Sequence, residues 1–403
     1  MYHFVAKIEA SKHDAFVKAH PLSNLLQSSA WAKVKDNWEH EIVGVMEDDE
    51  LIASALVLIK KLPMHFTMMY IPRGPIMDYE NERLIQFFFQ ELKKWAKSYH
   101  CLFVKMDPAI SYADYKWQEE KQPYDHIDTI LENLGKNNVK HLGFTMNMSD
   151  TIQPRFHANV YANDFAEENF TKSCRKMLKV ARKKEVKVER FGIEKVHEFA
   201  RIMQCTTKRK SVALRDEKYF TQLLSTYQDD AFLMMASLDL KAMYEKTKAR
   251  YEENQIELKN CPAHAAKKRF TLEELHDSLQ REMKELEENM KNDGEKVYIA
   301  GTLTVVFGKT SELLYAGMDD RYKRYMAPYI TWMKTMEECF SLGCDWCNMG
   351  GIEGSLDGGL ITFKKNYNPT INEFIGEFDF PVNRLLYQAS KIAYQIRKNK
   401  GKK

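Results

Sequence analysis

The chain has 403 residues, of which 44% are apolar and 12% aromatic, and its formal net charge is only +3. This length and composition predict two or three globular domains and exclude an intrinsically disordered protein. With so small a net charge, an anionic partner must bind to a local basic patch.

The cysteines and the apolar runs indicate where the protein is located. The seven cysteines lack the spacing of a disulfide framework, and Cys344-Asp-Trp-Cys347 has no second pair, so no metal site is expected. The N-terminus, MYHFVAKIEASKHDAF, lacks the apolar core of a signal peptide, and the chain has no run of 18 apolar residues. We therefore expect a cytoplasmic protein, with a peripheral position at the inner face of the plasma membrane left open.

The first half predicts a helical region followed by a small α/β unit. Apolar residues at helical spacing mark one long helix, and alternating or β-branched runs mark the strands. In chain order the elements are a helical region at 13–38, strands at 41–46, 51–59 and 66–71, a turn at 72–75, a helix at 82–99 and a strand at 101–106.

The same order of elements recurs in the second half. Strands are predicted at 231–238, 297–307 and 312–317, a helix at 328–340 and a last strand at 344–349. This repetition predicts a duplicated α/β unit, which resembles the acetyltransferase-like (GNAT) fold.

A long insertion distinguishes the second copy from the first. Where the first copy has a short acidic turn near Asp48, the second has residues 239–296, which are rich in Glu and Lys. Heptad-like apolar stripes run along both of its arms, and Asn260-Cys-Pro262 marks a turn between them. The insertion is predicted to be an antiparallel coiled-coil hairpin.

The strongest charge feature is the stretch 171–190, which has nine cations and two anions. Helical spacing places most of these cations on one side. We define the basic face by its five central residues, Arg175, Lys176, Lys179, Arg182 and Lys183. RNA phosphates, lipid headgroups and a substrate pyrophosphate are all chemically suitable ligands, and a purely solvated surface is the alternative.

Two further stretches carry candidate ligand-binding side chains. Arg215 and Tyr219 are one helical turn apart, and an Arg fork beside a phenol suits bidentate recognition of phosphate or carboxylate. Gly358 to Pro369 follows a glycine-rich loop and places Phe363 beside Lys364, an aromatic face next to a cation. We expect this second segment to be extended.

Six motifs follow one another along nearly the whole chain. In order they are LLQSSAWAKVK, YIPRGPIMDY, DTIQPRF, TKRKSVALR...Y, YAGMDDRYKRYMAPYITW and GGL..FK..Y.P. Together they resemble the Fem family of non-ribosomal peptidyltransferases, which build the interpeptide bridge of peptidoglycan. The resemblance is greatest to the MurM/MurN branch.

The resemblance implies a fold and a set of site residues. The fold would be two GNAT-like subdomains, the second interrupted by the coiled-coil hairpin. The family's Phe-Lys pair at the acyl-transfer centre falls on Phe363 and Lys364. Residues that match the family's positions around the muramyl-peptide precursor are Lys35, Asp107, Arg215, Tyr219 and Tyr315. One departure is Leu102, where the family has a tyrosine shortly before the aspartate.

The sequence also bears on the acyl donor. Acetyl-CoA-using enzymes of the GNAT type hold pyrophosphate on a glycine-rich loop between a strand and a helix, because small residues let backbone amides reach the phosphates. At that point this chain has Arg321 to Met326, with Arg324 and Met326 in place of the glycines. An aminoacyl ester on tRNA is therefore the more suitable donor.

These observations predict an aminoacyltransferase that transfers Ala, Ser or Gly from aminoacyl-tRNA to the diamino-acid side chain of the muramyl stem peptide. Its acceptor would be lipid II or a UDP-muramyl pentapeptide, and no cofactor is implied. The predicted domains are 1–150, the discontinuous pair 151–240 and 297–403, and the hairpin 241–296. An acyl-CoA-dependent N-acyltransferase and a non-catalytic tRNA- or envelope-binding protein are the alternatives.

Overall fold

A computed structural model describes residues 1–210, 215–262 and 264–400, with side chains described up to 206 and up to 392 in the first and last of these ranges. The strands in chain order are β1 (Tyr2–Ala6), β2 (Glu39–Glu47), β3 (Glu50–Lys61), β4 (Thr67–Ile71), β5 (Ile76–Met77), β6 (Cys101–Met106), β7 (Ser111–Lys116), β8 (Lys140–His141), β9 (Phe156–Tyr161), β10 (Lys187–Phe191), β11 (Ala231–Asp239), β12 (Lys296–Phe307), β13 (Thr310–Met318), β14 (Trp346–Gly351), β15 (Thr370–Phe374) and β16 (Phe378–Pro381).

The helices connect and cover these strands. In chain order they are α1 (Ala10–Ala19), α2 (Ser29–Val34), α3 (Glu82–Ser98), α4 (Ile127–Lys136), α5 (Lys172–Lys183), α6 (Val196–Lys210), α7 (Glu217–Tyr227), α8 (Leu240–Lys259), α9 (Ala266–Asp293), α10 (Ala327–Ser341), α11 (Gly359–Lys364) and α12 (Arg384–Lys400). The predicted helical region at 13–38 is therefore two separate helices, α1 and α2, because the intervening residues 25–27 form only a short 3₁₀ turn.

Two mixed sheets form the framework, and each contains one copy of the predicted repeat. The first sheet has the order β1-β2-β3-β4-β6-β16-β8, with β5 paired to β3, and the second has the order β10-β11-β12-β13-β14-β9-β15-β7. In both copies an antiparallel hairpin leads to a third strand, a helix and then a parallel strand, as in β4-α3-β6 and β13-α10-β14. The duplicated GNAT-like architecture is thus confirmed.

The two sheets exchange strands across the predicted domain boundaries. β16, near the C-terminus, pairs with β6 in the first sheet, where Phe378 lies opposite Met106. β7, from the first half of the chain, pairs with β15 in the second sheet, where Thr370 lies opposite Lys116. Each half therefore completes the other's sheet.

An apolar interface joins the two halves and positions the candidate site. Phe220, for example, is fully buried there, which stabilises the fold by about 2 to 3 kcal/mol relative to an exposed side chain. Interface residues come from both halves and include Leu25, Trp31, Leu56, Tyr70, Phe199, Leu223, Leu303 and Val305.

The insertion is an antiparallel helical hairpin, as predicted. The side chain of Asp239 caps α8 by accepting a hydrogen bond from the Ala242 N–H at 2.9 Å. Leu272, Leu279 and Leu286 are buried along α9 at seven-residue spacing, which is the seam of a two-helix coil. The hairpin therefore continues β11 and β12 away from the sheet without interrupting their pairing, in which Asp239 lies opposite Lys296.

Candidate active site

A deep cavity lies where two parallel strands separate. β13 and β14 pair only from Thr310 to Glu312, opposite Trp346 to Asn348, and beyond that point β13 contains a bulge. The opening between them is a cavity of about 880 Å³. It is lined by Thr206, Leu313, Leu314, Ala316, Gly317, Met318, Lys323, Arg324, Met326, Pro328, Tyr329, Trp332, Met349, Gly350, Gly351, Gly359, Leu360, Phe363 and Lys364.

Aromatic side chains from α10 and α11 form one wall of this cavity. The ring of Phe363 lies 5.3 Å from that of Tyr329 and 5.2 Å from that of Trp332, measured between centroids. Tyr367 packs against the same ring, and its hydroxyl donates to the Tyr329 carbonyl at 2.9 Å. Edge-to-face packing of this kind fixes the position of Phe363 and gives the wall a rigid apolar surface.

Lys364 places a cation at the same cavity, in an almost fully buried position. Its side chain belongs to a residue that is only 6% exposed, and Nζ donates to the Gly351 carbonyl at 2.8 Å. That carbonyl is at the irregular end of the pairing between β14 and β9. Gly350, with φ +85°, adopts the left-handed backbone conformation there, and a side chain at this position would be strained.

The segment that carries Phe363 and Lys364 is helical, so the expectation of an extended segment is wrong. Residues 359–364 form the short helix α11, which Gly358 precedes in an extended conformation. Consecutive side chains on a helix differ by about 100° in direction, not by the 180° of a strand. Lys365 accordingly lies away from Gly351, with Nζ 5.1 Å from the centre of the Trp117 ring.

Four of the predicted precursor-binding residues meet in a second cluster at the interface of the halves. The Arg215 guanidinium lies 4.9 Å from the centre of the Tyr219 ring, which lies 6.0 Å from the Tyr315 ring. Burial, and then the charge of Arg215, lowers the pKa of Lys35. Burial, and then the neighbouring Tyr315, raises the pKa of Tyr219.

A small polar cavity of about 330 Å³ opens beside this cluster. Asp216 caps α7 by accepting a hydrogen bond from the Tyr219 N–H at 3.0 Å, which fixes Arg215 and Tyr219 at the start of that helix. The cavity is lined by Asp36, Arg215, Asp216, Lys218, Tyr219 and Gln222. Residues 211–214 of the TKRKSVALR motif lie outside the described residues.

Asp107, the fifth predicted precursor-binding residue, is bonded to protein groups. Its carboxylate accepts a hydrogen bond from the Arg73 N–H at 2.7 Å and another from the Tyr70 hydroxyl at 2.8 Å. Burial raises the pKa of Asp107 to about 6, against the opposing effect of the Arg73 charge. In this conformation the carboxylate holds the turn that follows β4.

A buried polar network that the sequence analysis missed links this turn to Lys364. Nη2 of Arg73 donates to the Pro154 carbonyl at 2.7 Å and lies 3.0 Å from His157 Nε2. Nδ1 of His157 lies 2.7 Å from Asn348 Nδ2, and Oδ1 of Asn348 accepts a hydrogen bond from the Gly350 N–H at 2.7 Å. Gly350 directly precedes the residue whose carbonyl binds Lys364.

The ionisation of this network follows from its burial. Burial, and then the charges of Arg73 and Lys364, holds the pKa of His157 well below its usual range, so the imidazole is neutral. Glu312 is also buried, and the pKa of its carboxyl is raised to about 7. The only sequence signals for these residues are the PRGP turn and the CNMGG end of β14, neither of which indicates a charge network.

The predicted basic face lies on α5, beside the cavity. Lys176, Lys179 and Lys183 are exposed, whereas Arg182 forms two hydrogen bonds to the Glu167 carboxylate at 2.9 and 2.6 Å. Arg175 is half-buried and donates to the Glu168 carbonyl at 3.4 Å. The exposed charge of the face is therefore mainly that of its three lysines.

The start of α5 is tied to the segment that carries Lys364. The Thr171 N–H donates to the Asn366 carbonyl at 3.0 Å, and its hydroxyl donates to Asn366 Oδ1 at 3.0 Å. The same hydroxyl caps α5 by accepting a hydrogen bond from the Cys174 N–H at 3.2 Å. The helix that carries the basic face thus begins against Asn366, two residues after Lys364.

The sequence as a whole matches one protein family. A model of the FemAB family matches residues 8–395. This chain belongs to the FemAB family. The membership confirms the predicted Fem resemblance, and the closer relation to the MurM/MurN branch stays a prediction.

Individual members of the FemAB family are similar over almost their full length. A lipid II:glycine glycyltransferase of Staphylococcus saprophyticus is 31% identical over an alignment of 396 positions that covers 93% of this chain and 92% of the relative. An aminoacyltransferase FemA of Staphylococcus epidermidis is 27% identical, with 91% of this chain and 92% of the relative covered. These FemAB relatives are named as transferases, and this chain is an acyl-transferring enzyme.

A solved structure agrees with the fold. The crystal structure of FemX superposes with a TM-score of 0.78 at 27% identity, covering 96% of this chain and 99% of that one. None of the helices in residues 1–210, 215–262 and 264–400 combines the length with the apolar character that crossing a bilayer requires. Within those same ranges, no group of three or more His, Cys, Asp or Glu side chains is arranged to hold a metal ion.

Proposed function

We propose that this enzyme transfers an aminoacyl group from aminoacyl-tRNA to the side-chain amine of the diamino acid in the peptidoglycan stem peptide. The amino acid would be Ala, Ser or Gly, and the acceptor lipid II or a UDP-muramyl pentapeptide. The observation that carries the proposal is the buried Lys364 ammonium at a cavity with an aromatic wall, in a chain whose relatives are named as glycyl- and aminoacyltransferases.

The donor ester would enter the cavity between β13 and β14. Phe363 and Trp332 offer flat apolar surfaces on which the terminal base of the RNA can stack. Helix α5, which carries the exposed lysines, begins against Asn366, two residues after Lys364. Phosphates of the same RNA strand would bind these lysines. Aminoacyl-tRNA is therefore the donor that the combined chemistry of cavity and helix favours.

Coenzyme A fits the same position less well. Where a pyrophosphate loop would expose backbone amides, residues 320–325 form a 3₁₀ turn in which Tyr322 and Tyr325 are buried. The two arginines of this turn bind carboxylates, Arg321 that of Asp293 at 2.9 Å and Arg324 that of Glu285 at 2.5 Å. The tyrosines fill the space that a pyrophosphate would need, and the carboxylates already pair with the arginines that could bind it.

The acceptor would be held in the polar cavity at the interface of the halves. Arg215 can bind a phosphate or carboxylate with two parallel hydrogen bonds, and Lys35 adds a second cation near it. Tyr219 lines that cavity, and the Tyr315 ring packs against Tyr219. Asp107 would support this arrangement through the turn it holds.

The reaction would be attack of the acceptor amine on the carbonyl carbon of the ester. This step converts the neutral carbonyl into a tetrahedral oxyanion, which a fixed cation stabilises more than it stabilises the ground state. Lys364 is the cation in place for that role, and Phe363 orients the donor. The ester is already activated, so the protein needs to supply only position, charge and a path for the proton.

A transfer assay tests the proposal. The purified protein is incubated with Ala-, Ser- or Gly-tRNA and with either lipid II or UDP-muramyl pentapeptide, and the product is identified by mass. We expect the acceptor to gain one aminoacyl group from at least one donor, and no product when acetyl-CoA replaces the aminoacyl-tRNA. No product with any of the tRNA donors, or efficient transfer from acetyl-CoA, would contradict the proposal.

The basic face and the lipid-linked acceptor suggest where the enzyme works. We place it in the cytoplasm, with peripheral contact at the inner face of the plasma membrane. Binding to vesicles containing anionic lipid, compared with neutral vesicles, tests this location. Equal binding to anionic and neutral vesicles would contradict the proposed membrane contact and leave tRNA as the proposed ligand of α5.

A further inference from the structure

A buried carboxyl lies at the point where β13 and β14 separate. Glu312 is the last residue of β13 in register with β14, opposite Asn348, and it is only 8% exposed. The next residue, Leu313, already lines the donor cavity, as does Gly350 on the other strand. Glu312 is therefore at the end of the cavity where the two strands come together.

The side chain of Glu312 faces the interface between the two halves. Nδ2 of Asn24, from the first half, donates to Oε1 of Glu312 at 3.4 Å. Tyr315, three residues further along β13, packs in the precursor-binding cluster at the same interface. On β13, Glu312 thus stands next to Leu313, which lines the cavity that contains Lys364, and three residues before Tyr315 of the precursor-binding cluster.

The charged neighbours of Glu312 are few and can be named. Arg73, from the turn after β4, favours its ionised form, as do the amides of Asn348 and Asn24. Across Asn348 lies His157, which is neutral. Burial outweighs these effects and raises the pKa of the carboxyl to about 7, so it can gain and lose a proton near neutral pH.

We propose that Glu312 accepts the proton that the attacking amine loses and returns it to the ribose oxygen that leaves. The inference rests on the proposed function. The neutral amine forms the N–C bond, and the resulting ammonium gives one proton to the Glu312 carboxylate. The ester C–O bond then breaks, its electron pair goes to the ribose oxygen, and that oxygen takes the proton from Glu312.

Lys364 and Glu312 would have different roles because they lie at different positions around the reacting groups. Lys364 approaches the reacting carbonyl from the α11 side and stabilises the oxyanion. Glu312 faces the interface from which the acceptor amine comes. Hydrogen bonds through Asn348 and Gly350 connect Glu312 with Lys364, so a substitution at the end of β14 affects both side chains.

Glu312→Gln is the central test, because the amide keeps the size of the side chain and its contact with Asn24 but cannot take up a proton. Single-turnover rates are measured from pH 5.5 to pH 9 with saturating aminoacyl-tRNA and precursor. For the wild type we expect the rate to rise with pH through about 7. For the variant we expect a rate about 100-fold lower at pH 8, an unchanged KM for the precursor and loss of that rise.

Two further variants separate a proton acceptor from a structural role. Glu338→Gln removes a carboxylate that pairs with Arg190 on the surface of α10, and it should leave the rate and its pH profile unchanged. Asn348→Ala loosens the network but keeps the carboxyl, so its rate should fall while a rise with pH persists, moved to higher pH because the Asn348 amide favours the ionised carboxyl. Circular dichroism confirms that each variant is folded. Glu312→Asp retains a carboxyl, so its rate should still rise with pH.

The outcomes distinguish this inference from the function on which it rests. If the wild type shows no transfer from any aminoacyl-tRNA, both the function and the role of Glu312 are rejected. If the wild type is active and Glu312→Gln keeps its rate within about threefold, or keeps the same acidic limb, only the role of Glu312 is rejected. A wild-type profile that is flat between pH 6 and pH 8 also overturns it.

Discussion

The ionisation of Glu312 has a consequence for stability that does not depend on any substrate. The carboxyl has an ordinary pKa of 4.5, and burial raises it to about 7 in the folded protein. The difference of about 2.5 in pKa, at about 1.36 kcal/mol for each unit, corresponds to about 3 kcal/mol. Because the folded pKa is the higher one, this stability is fully present below pH 4.5 and is lost as pH rises through about 7.

Glu312→Gln removes this pH dependence. Relative to the wild type, the variant should gain about 3 kcal/mol of stability between pH 4 and pH 8, with most of the change between pH 5 and pH 8. Urea unfolding followed by circular dichroism at pH 5, 6.5 and 8 gives the free energy of unfolding of both proteins. Any constant effect of the amide on packing cancels, because only the change with pH is compared.

Other buried groups of the network are the same in both proteins, so their titration cancels as well. This applies above all to Asp107, whose pKa is raised to about 6. Glu338→Gln, which removes a carboxylate from the surface of α10, serves as the matched control for the loss of one carboxylate. If the Glu312→Gln difference is constant to within about 0.5 kcal/mol, the pKa of Glu312 is the same in the folded and the unfolded protein, and the reasoning from burial is refuted.

The remaining predictions concern the cation, the basic face and the hairpin. Lys364→Met should lower the single-turnover rate about 100-fold with less effect on precursor binding, whereas Lys365→Met should keep a rate close to that of the wild type. Equal small losses of rate in the two variants would show that the Lys364 cation has no part in the mechanism. Reversing Lys176, Lys179 and Lys183 to Glu should weaken binding of tRNA or of anionic vesicles, with a loss that shrinks as salt rises, and unchanged affinity for both would indicate a solvated surface. Replacing the hairpin α8–α9 by an Asn-Gly turn should leave a protein that unfolds cooperatively on heating, and loss of cooperative unfolding would show that the hairpin belongs to the core.

Removing the hairpin should also affect activity, because residues of α9 bind the turn at 320–325. Asp293, near the end of α9, binds Arg321 at 2.9 Å and accepts a hydrogen bond from the Tyr322 hydroxyl at 2.7 Å. Glu285 binds Arg324, a residue that lines the donor cavity. Removing the hairpin takes these carboxylates away from the turn at 320–325, although Arg321 retains its ion pair with Asp319. Because Arg324 lines the cavity, transfer activity should fall more than stability does.

Local sequence patterns were sufficient for the repeat and the insertion. Helical apolar spacing identified α3 and α10, and alternating runs identified β2, β3, β12 and β13, because side-chain periodicity is fixed by the backbone geometry of each element. Motifs distributed along the whole chain identified the family. The same reasoning was wrong at residues 359–364, where a six-residue helix is too short to show a period.

Only the tertiary structure decided which strands complete which sheet and which charges become buried. β16 joins β6, and β7 joins β15, through backbone hydrogen bonds that leave no periodic trace in the side chains. Asn24 and Glu312 are 288 residues apart, yet they meet at the interface of the two halves. The sequence by itself determined the strands and helices of the repeat and the hairpin insertion. The raised pKa of Glu312 exists only after folding, because it is produced by the removal of water and not by the residue itself.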